Sequence, residues 1–561
     1  MPVLTGVDIL GIQSYVFGSN RLRDVLAASW MVEYVTQSEQ LAQWPSLRPS
    51  TILLAAGGSS TLEFVSMDAA RRWTAHYTRW LQDTAPGLDA VVVHRSFDGH
   101  CLAWALRALQ VDIARAKLER CPSVPQLGLS VTASCSITGL PATGEDHGAL
   151  VSPRIVQLRA VVEKARRRWG ELLRSPEQEA GYELEFPAEI DLMGRTRGQA
   201  SLVGVVHVDG NDVGKLIMRW LERCIEQNVN QEDVRKQYEE WSSAMTELGQ
   251  VVMRALVART AKCIRTKDDY HVLDGTPHDL GFRLHNPGNE RTRRDVFLPL
   301  CPVLLGGDDL TFLCDGRIAL DLAASALDEF ARHAIPHLGP GGESMPLTAC
   351  AGVALVKAHA PFHRSYELAE DLCRSAKRAR RAANEKRSGT ETGCWIDWYV
   401  GGTRPGQGVE AMRHRAYRHG GNHLTMRPYP LMGIENEDRS WGWLDRQLLG
   451  PGDTHGTANQ GLRGAACWVG SRSRVKLLRA LVTSGGAAIR RQVEAWRAID
   501  TELRLPAALD DSGFVGAGTP LLDAIELLDL HLRLDPDPRV GGGPAEDART
   551  DATDTARAVT R

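Results

Sequence analysis

Two adjacent aspartates at a glycine turn are the feature that most restricts the fold of this chain. The sequence Gly306-Gly307-Asp308-Asp309 separates two apolar runs, 303–305 and 310–313. Such runs are typical of buried strands, and paired glycines permit the tight backbone of a hairpin. Adjacent carboxylates repel each other unless a cation neutralises them, and oxygen-rich sites select Mg²⁺ or Mn²⁺. The pattern predicts a metal site, although an acidic surface turn fits this tetrapeptide equally well when it is taken alone.

A second acidic segment lies upstream of this hairpin. Residues 202–208 form a β-branched run that leads directly into Asp209-Gly210-Asn211-Asp212 and then into a helical pattern. Because strand ends line the ligand crevice of an open α/β sheet, we expect Asp209 to face Asp308 and Asp309 across one or two metal ions. An isolated aspartate here would serve as a helix N-cap, and the partner hairpin makes that interpretation weaker.

A basic helix follows the hairpin and a further predicted strand at 347–356. In the amphipathic pattern 364–384, Lys377 and Arg381 are four residues apart and therefore share one helical face. This basic pair is suited to the outer phosphates of a nucleotide whose inner phosphates lie on the metals. A solvated charged face explains the same residues equally well.

The order of these segments resembles the second palm domain of the large subunit of type III CRISPR effector complexes. That family is related to GGDEF diguanylate cyclases and to polymerase palms. The amino terminus is similar to the family's first palm: Gly6-Val7-Asp8-Ile9-Leu10-Gly11-Ile12-Gln13 opens it, and Asn20-Arg21-Leu22-Arg23 follows. In this first palm, Gly57-Gly58-Ser59-Ser60 takes the hairpin position, with serines in place of the aspartates. The resemblance implies one metal-binding palm and one degenerate palm.

We therefore expect an α/β (α+β) protein with two facing ferredoxin-like palm domains and a helical carboxyl-terminal domain. The expected boundaries are 1–145 for the first palm, 146–200 for a helical linker, 201–400 for the second palm with inserted helices near 220–295, 401–535 for a basic loop and helices, and 536–561 for a disordered tail. The first palm begins within a few residues of Met1, so we expect no preceding HD nuclease domain, which many family members carry.

The resemblance implies a nucleotidyltransferase that makes cyclic oligoadenylate from ATP in antiviral defence. Asp209, Asp308 and Asp309 would be the catalytic and metal-binding residues and would hold two Mg²⁺ or Mn²⁺ ions. The other expected nucleotide-binding residues are Gly210, Asn211, Gly306, Gly307, Lys377, Arg381, Gly57 and Gly58. The family often has Asp where this chain has Asn211, and Asp212 is a candidate substitute. Two alternatives stay open: a nucleotide-binding scaffold without turnover, and a template-directed palm polymerase.

The composition of the chain limits the classes of partner that it can bind. The 66 Lys and Arg residues balance 69 Asp and Glu residues, which argues against general coating of nucleic acid. No apolar run has membrane-spanning length, so we expect a cytoplasmic protein without a membrane partner. The segment 412–430 interleaves arginines and histidines with Tyr417 and Tyr429, which suits single-stranded RNA, although a basic loop packed on the palm fits as well. Candidate partners are ATP, RNA, other effector subunits and a second copy of the chain.

Overall fold

The computed structural model describes residues 1–98, 102–121, 128–129, 131–173, 182–194, 202–267, 270–286, 295–402, 407–433, 439–450, 461–465, 467–468, 471–507 and 509–535. The segment 536–561, for which the sequence predicts disorder, lies outside these residues. Among the helices of the described ranges, none is both long enough and apolar enough to cross a lipid bilayer.

The first sheet has four antiparallel strands in the spatial order β2-β3-β1-β4. Its elements are β1 (Val3–Leu10), α1 (Ile12–Val16), α2 (Leu22–Tyr34), α3 (Ser38–Leu41), β2 (Thr51–Ala56), β3 (Ser59–Phe64), α4 (Met67–Thr84), β4 (Asp89–Ser96) and α5 (Leu102–Glu119). Helix α4 begins where the Ser66 hydroxyl accepts a hydrogen bond from Ala69 N at 3.2 Å, and it buries Trp73, Tyr77 and Leu81 at four-residue spacing. This strand order is that of a ferredoxin-like domain.

A connecting segment packs on the first sheet's helices. It consists of β5 (Gly144–Asp146), β6 (Ala149–Val151), α6 (Pro153–Gly170) and β7 (Glu183–Glu185). Helix α6 lies along α2, and its Arg159 reaches the buried Asp24 at 3.5 Å. The region predicted as a linker is thus held against the first palm.

The second sheet has six strands in the order β13-β14-β8-β17-β18-β21. The elements of this region are β8 (Leu202–Gly210), α7 (Val213–Glu226), α8 (Gln231–Lys262), β9 (Ile264–Lys267), β10 (Tyr270–Leu273), β11 (Phe282–Arg283), β12 (Asp295–Phe297), β13 (Leu300–Leu305), β14 (Asp309–Asp315), α9 (Ala319–Arg332), β15 (Ala334–Ile335), β16 (Met345–Pro346), β17 (Ala349–Lys357), α10 (Phe362–Lys386) and β18 (Trp395–Val400). Of the helices expected near 220–295, α8 lies in this interval, whereas α7 begins at Val213, directly after β8. After α8, strands β9 to β11 form a small antiparallel sheet, which the sequence did not predict.

The carboxyl-terminal region is mainly helical. Its elements are α11 (Val409–Ala416), β19 (Arg418–His419), β20 (Asn422–His423), β21 (Tyr429–Pro430), α12 (Trp441–Trp443), which continues into a π-helical turn at Leu444–Leu449, α13 (Arg472–Val482), α14 (Gly486–Arg497) and α15 (Leu521–Leu527). Strand β21 joins the open edge of β18 and so attaches this region to the second sheet.

The two sheets share one topology. Strands β13-β14-β8-β17 repeat the antiparallel arrangement of β2-β3-β1-β4, and each hairpin has a register shift at the same place, between Ile52 and Leu54 and between Pro302 and Leu304. Buried apolar side chains form a continuous cluster across both sheets. The predicted α/β class is confirmed.

Helix α10 lies directly on the second sheet at a glycine. A Cβ atom added to Gly352 would lie 2.0 Å from the backbone oxygen of Ala369 and 2.4 Å from the backbone nitrogen of Cys373. Only a residue without a side chain permits this approach. The contact places the basic half of α10 above the ends of β8 and β14.

Candidate functional site

Three carboxylates come together at one end of the second sheet. Asp209 on β8 lies directly opposite Asp309 on β14, and Asp308 occupies the turn before β14. The Gly210 backbone nitrogen donates to the Asp308 carbonyl oxygen at 2.9 Å. A Cβ atom on Gly210 would lie 2.9 Å from Asp308 Cβ, so this glycine allows the two segments to touch. Residues 99 positions apart in sequence, 209 and 308, are therefore neighbours.

In this group the burial of the carboxylates and their mutual repulsion outweigh the nearby positive charge of Lys377. Burial, together with the charges of Asp209 and Asp309, raises the pKa of Asp308 to about 7. Burial also raises the pKa of Asp309, and His207 opposes that effect. The Asp309 side chain is surrounded by protein, yet 43% of it stays exposed. It therefore lines a cleft that water can enter.

The donor atoms fit a divalent cation. Asp309 Oδ1 is enclosed and accepts no hydrogen bond from any described residue, and His207 Nδ1 lies 3.3 Å from it. A cation bound here would satisfy that oxygen and relieve the repulsion among the three carboxylates. Carboxylate oxygens are the ligands that Mg²⁺ and Mn²⁺ prefer. Asp209, Asp308 and Asp309 are thus suited to hold such ions.

Lys377 is the basic residue that reaches this centre. Its Nζ lies 2.6 Å from Asp209 Oδ2 and donates to the Gly210 carbonyl oxygen at 2.7 Å. Its side chain is 16% exposed. The ammonium group is placed to contact a phosphate bound at the carboxylates.

Arg381 and Asn211 do not point into the centre. Arg381 is 55% exposed and lies 3.9 Å from Asp212. The Asn211 side chain is buried, and its amide contacts Thr348 Oγ1 at 3.0 Å and Cys350 Sγ at 3.3 Å. Direct contact of these two side chains with a nucleotide stays a prediction.

Asp212 is not available to replace the family's aspartate. Arg380, which is buried, donates to Asp212 Oδ2 from both terminal nitrogens at 3.0 Å and also pairs with Glu391. Asp212 has a φ of 56° and precedes α7, and Lys215 lies 2.8 Å from its Oδ1. These hydrogen bonds and charges lower its pKa. Arg380 thereby fastens the 209–212 loop to α10, the helix that carries Lys377, a role that sequence spacing alone does not reveal.

The two glycine hairpins meet each other. A Cβ atom on Gly57 would lie 3.6 Å from the Cα atom of Gly306, so the turns of the two sheets are in contact. Gly307 has a φ of 87° and lies against Met245 of α8. Gly58 also has a φ of 87° and is buried beside Ile12. Gly57 and Gly306 are therefore at the junction of the palms, whereas Gly58 and Gly307 shape their own turns.

The strand pairing aligns the first hairpin with the second one residue away from the alignment that the paired glycines suggest in the sequence. Asp8 pairs with Ser59 as Asp209 pairs with Asp309, and Ile9 N donates to Gly58 O at 2.8 Å as Gly210 N donates to Asp308 O. Gly58 thus takes the place of Asp308, and one serine, Ser59, replaces an aspartate. The expectation that serines replace both aspartates is wrong in this register.

The first palm retains one acid and one lysine of the second. Asp8 corresponds to Asp209, and Lys117 of α5 forms an ion pair with Asp8 as Lys377 of α10 does with Asp209. Ser59 Oγ also donates to Asp8 Oδ1 at 3.2 Å. This half thus has one carboxylate, already paired with a lysine, where the second palm has three. Comparing the ends of β1 and β8 would have identified Asp8 from the sequence.

A cavity of about 540 Å³ opens beside the acidic hairpin. Asp308 and Gly307 form one wall, while helices α7 and α8 supply the apolar Ile217, Trp241 and Met245. Gln110 of α5 closes the side that faces the first palm. An apolar cavity next to carboxylates suited to metal-bound phosphates is suited to the planar base of a nucleotide. Of its lining residues, the sequence prediction contained only those in the glycine hairpins and Asp308.

The basic segment 412–430 has a buried and an exposed part: Arg427 and the two tyrosines are buried, whereas His414, Arg415, Arg418 and His419 are exposed. Arg427 has 1% of its side chain exposed and lies 2.8 Å from Asp523 and 2.9 Å from Glu526. Arg413 pairs with the buried Asp397, and Tyr417 and Tyr429 are buried as well. A basic loop packed on the palm describes Arg413, Arg427, Tyr417 and Tyr429, and RNA binding by the exposed basic residues stays a prediction.

Three comparisons relate this chain to known proteins. A family model for the Cas10/Cmr2 second palm domain matches residues 202–385. The Csm1–Csm4 cassette in complex with one ATP matches with a TM-score of 0.51 at 13% identity, over 94% of this chain and 70% of that chain. The same cassette in complex with cA3 has a TM-score of 0.50 at 12% identity, over 94% and 69%. Csm1 from T. onnurineus has a TM-score of 0.47 at 14% identity, over 94% and 69%. No curated protein sequence matches.

Proposed function

Because residues 202–385 are a second palm domain of the Cas10/Cmr2 type, as the sequence resemblance predicted, we propose that this chain is a metal-dependent nucleotidyltransferase that converts ATP into cyclic oligoadenylate. The observation that carries the proposal is the pairing of Asp209 with Asp309 in the sheet, with Asp308 in the adjoining turn. Three carboxylates held this close are costly for the fold unless they bind cations.

Each residue of the centre has a proposed task. Asp209, Asp308 and Asp309 hold the cations, and Lys377 binds a phosphate and neutralises charge on the departing group. When bound, two Mg²⁺ or Mn²⁺ ions would supply charge stabilisation at the attacking 3′ oxygen and at the pyrophosphate. The turn at Gly306 and Gly307 presents no side chain at its tip and lets a triphosphate approach the backbone.

The cavity between α7, α8 and the acidic hairpin is proposed to hold the base of the reacting nucleotide. Trp241 and Met245 offer apolar contact area, while Gln110 brings a hydrogen-bonding group from the first palm. The acceptor nucleotide is proposed to lie toward the first palm, near Gly57, because the two hairpins meet there. A reaction between two nucleotides requires two adjacent binding sites of this kind.

The solved structures of similar fold indicate ligands and partners to test. One Csm1–Csm4 cassette is in complex with ATP and another with cA3. We propose the same nucleotide class for this chain and, as a partner, a subunit of the Csm4 kind within an RNA-guided effector complex. Activation by RNA and a cytoplasmic location belong to the same proposal.

Turnover of labelled ATP tests the function directly. The purified chain is incubated with α-labelled ATP and Mg²⁺ or Mn²⁺, with and without RNA, and the products are separated and treated with phosphatase. We expect phosphatase-resistant cyclic products, and we expect Asp308→Ala combined with Asp309→Ala to abolish them. Asp68→Asn, which removes a 76% exposed carboxylate on α4, is the matched control and should leave turnover unchanged.

Two other outcomes would replace this proposal. ATP binding without any product, under all of these conditions, would assign the chain to a nucleotide-binding scaffold. Linear products that require a template would assign it to a polymerase. Full turnover by the Asp308→Ala, Asp309→Ala variant would reject the metal assignment itself.

A further inference from the structure

A second set of metal-binding side chains lies beneath the carboxylates. His207 and Asp209 are two residues apart on β8 and so share one face of the strand. Cys373 of α10 packs against that face. One donor atom from each of these three residues lies within 4.8 Å of the other two. His207 and Cys373 have no part in the chemistry proposed above.

We propose that His207, Asp209 and Cys373 form a binding site for a thiophilic divalent cation of the Zn²⁺ class. Imidazole nitrogen, thiolate sulfur and carboxylate oxygen are the ligands of protein-bound zinc, whereas Mg²⁺ prefers oxygen alone. Around a tetrahedral zinc ion with bonds of about 2.0–2.3 Å, donor atoms lie roughly 3.5 Å apart. A small contraction of the present cluster reaches that geometry, and solvent takes the fourth position through the cleft.

The surroundings of His207 orient it as zinc-binding histidines are oriented. Its Nδ1 lies 3.1 Å from Thr311 Oγ1 and 3.3 Å from Asp309 Oδ1. A histidine that binds zinc uses one ring nitrogen for the metal and directs the other to a carboxylate or another acceptor. Thr311 Oγ1 is the acceptor within hydrogen-bond distance of Nδ1, which would leave Nε2 for the cation.

The remaining donors are available without dismantling the site. Lys377 contacts Oδ2 of Asp209, which leaves Oδ1 for a cation. The Cys373 thiol donates to the Cys350 carbonyl oxygen at 3.2 Å. On binding, the S–H bond breaks, the proton passes to solvent, and the sulfur bonds the metal. The two buried ligands, His207 and Cys373, are fixed by packing before the ion arrives.

Sharing Asp209 makes this site inhibitory. One carboxylate cannot serve a Zn²⁺ ion held by His207 and Cys373 and also hold the proposed catalytic pair with full strength. We expect micromolar Zn²⁺ to suppress turnover that excess Mg²⁺ supports. This inhibitory part rests on the proposed function, whereas the binding of the ion does not.

Cobalt absorption tests the binding part without any turnover. Co²⁺ is titrated into the full chain, and the thiolate-to-cobalt band in the near ultraviolet is recorded, followed by Zn²⁺, which should bleach it. Cys373→Ser should remove the band, and Cys350→Ser, a substitution of a neighbouring buried thiol outside the cluster, should keep it. Cys373→Ala is a second variant, and circular dichroism checks that each one folds. An unchanged band in folded Cys373→Ser and Cys373→Ala would overturn the site.

Inhibition is then measured separately. If the chain turns over ATP, the Zn²⁺ concentration that halves the rate should rise at least tenfold in Cys373→Ser, relative to that variant's own uninhibited rate, and should stay unchanged in Cys350→Ser. Equal inhibition of all three proteins would overturn the competition. Absence of turnover in every protein would contradict the proposed function and leave the cobalt result as the measure of the metal site.

Discussion

Lys377 Nζ lies 2.6 Å from Asp209 Oδ2, and the same nitrogen donates to the carbonyl oxygen of Gly210. One ammonium group thus joins α10 to the end of β8. It supplies positive charge on the side of the carboxylates that faces the helix. This contact distinguishes Lys377 from Arg381, its neighbour one helical turn further on.

Replacing Lys377 by Met should lower turnover by about 100-fold, because a preorganised cation at the reacting phosphates is lost. Arg381→Met is the matched control, and it should change the rate by less than about threefold since that side chain is 55% exposed and reaches only Asp212. Steady-state rates at saturating ATP make the comparison. Equal losses in both variants would show that phosphate is bound on the exposed face of α10.

The metal-free protein should lose stability as the pH rises from about 4 to 7. The pKa of Asp308 is about 7 in the folded chain and ordinarily 3.8, so the folded state holds more protons than the unfolded state in this window. The free energy of unfolding then falls as the pH rises, because its slope against pH is proportional to the protons bound by the unfolded state minus those bound by the folded state. Melting temperatures measured in a chelator should show this fall, and Asp308→Asn should reduce it. Added Mg²⁺ should raise the melting temperature most at the upper end of the window, and a flat profile in the unaltered chain would contradict the assignment.

Replacing Arg380 by Ala should destabilise the fold by about 1–3 kcal/mol, since the hydrogen bonds of its buried guanidinium to Asp212 and Glu391 are lost, while Lys215 still pairs with Asp212. Arg378→Ala, two residues earlier on the same helix, breaks an exposed pair with Glu410 and should cost less than about 1 kcal/mol. Urea unfolding gives both values. A larger loss in Arg378→Ala than in Arg380→Ala would contradict the assigned role of Arg380.

Gly352→Ala should cost about 1–3 kcal/mol and lower turnover as well, because a methyl group at 2.0 Å from the Ala369 oxygen must push α10 away from β17. Lys377 moves with that helix. Gly170→Ala, at the end of α6, is the control, since a Cβ atom there meets no neighbouring atom within 4 Å. Thermal melting and ATP turnover are measured on both variants. A fully active and stable Gly352→Ala protein would show that α10 is not seated on this glycine.

Local patterns made the acidic hairpin predictable. Apolar runs on both sides of Gly306-Gly307-Asp308-Asp309, and a β-branched run before Asp209, indicate strands whose ends carry acid. The sequence could not distinguish the roles of Lys377 and Arg381, because two residues four apart share a helical face. Only the position of the loop around Asp212 distinguishes them. The family resemblance correctly indicated the second palm.

Long-range pairing explains what the sequence did not reveal. Arg427 meets Asp523, which lies far along the chain, so a residue typical of RNA-binding loops is in fact buried in an ion pair. In the first palm, the paired glycines suggested an alignment that strand register shifts by one residue. Such register depends on cross-strand hydrogen bonds and on a bulge, neither of which is visible in residue spacing.

The repeated strand order has a consequence for symmetry. Two copies of one palm, joined in a single polypeptide, present three carboxylates on one side and a lone neutralised Asp8 on the other. In a dimer of identical chains, either half could act as donor or acceptor. If the proposed reaction takes place at this junction, covalent linkage of unlike halves gives each half a single role in it.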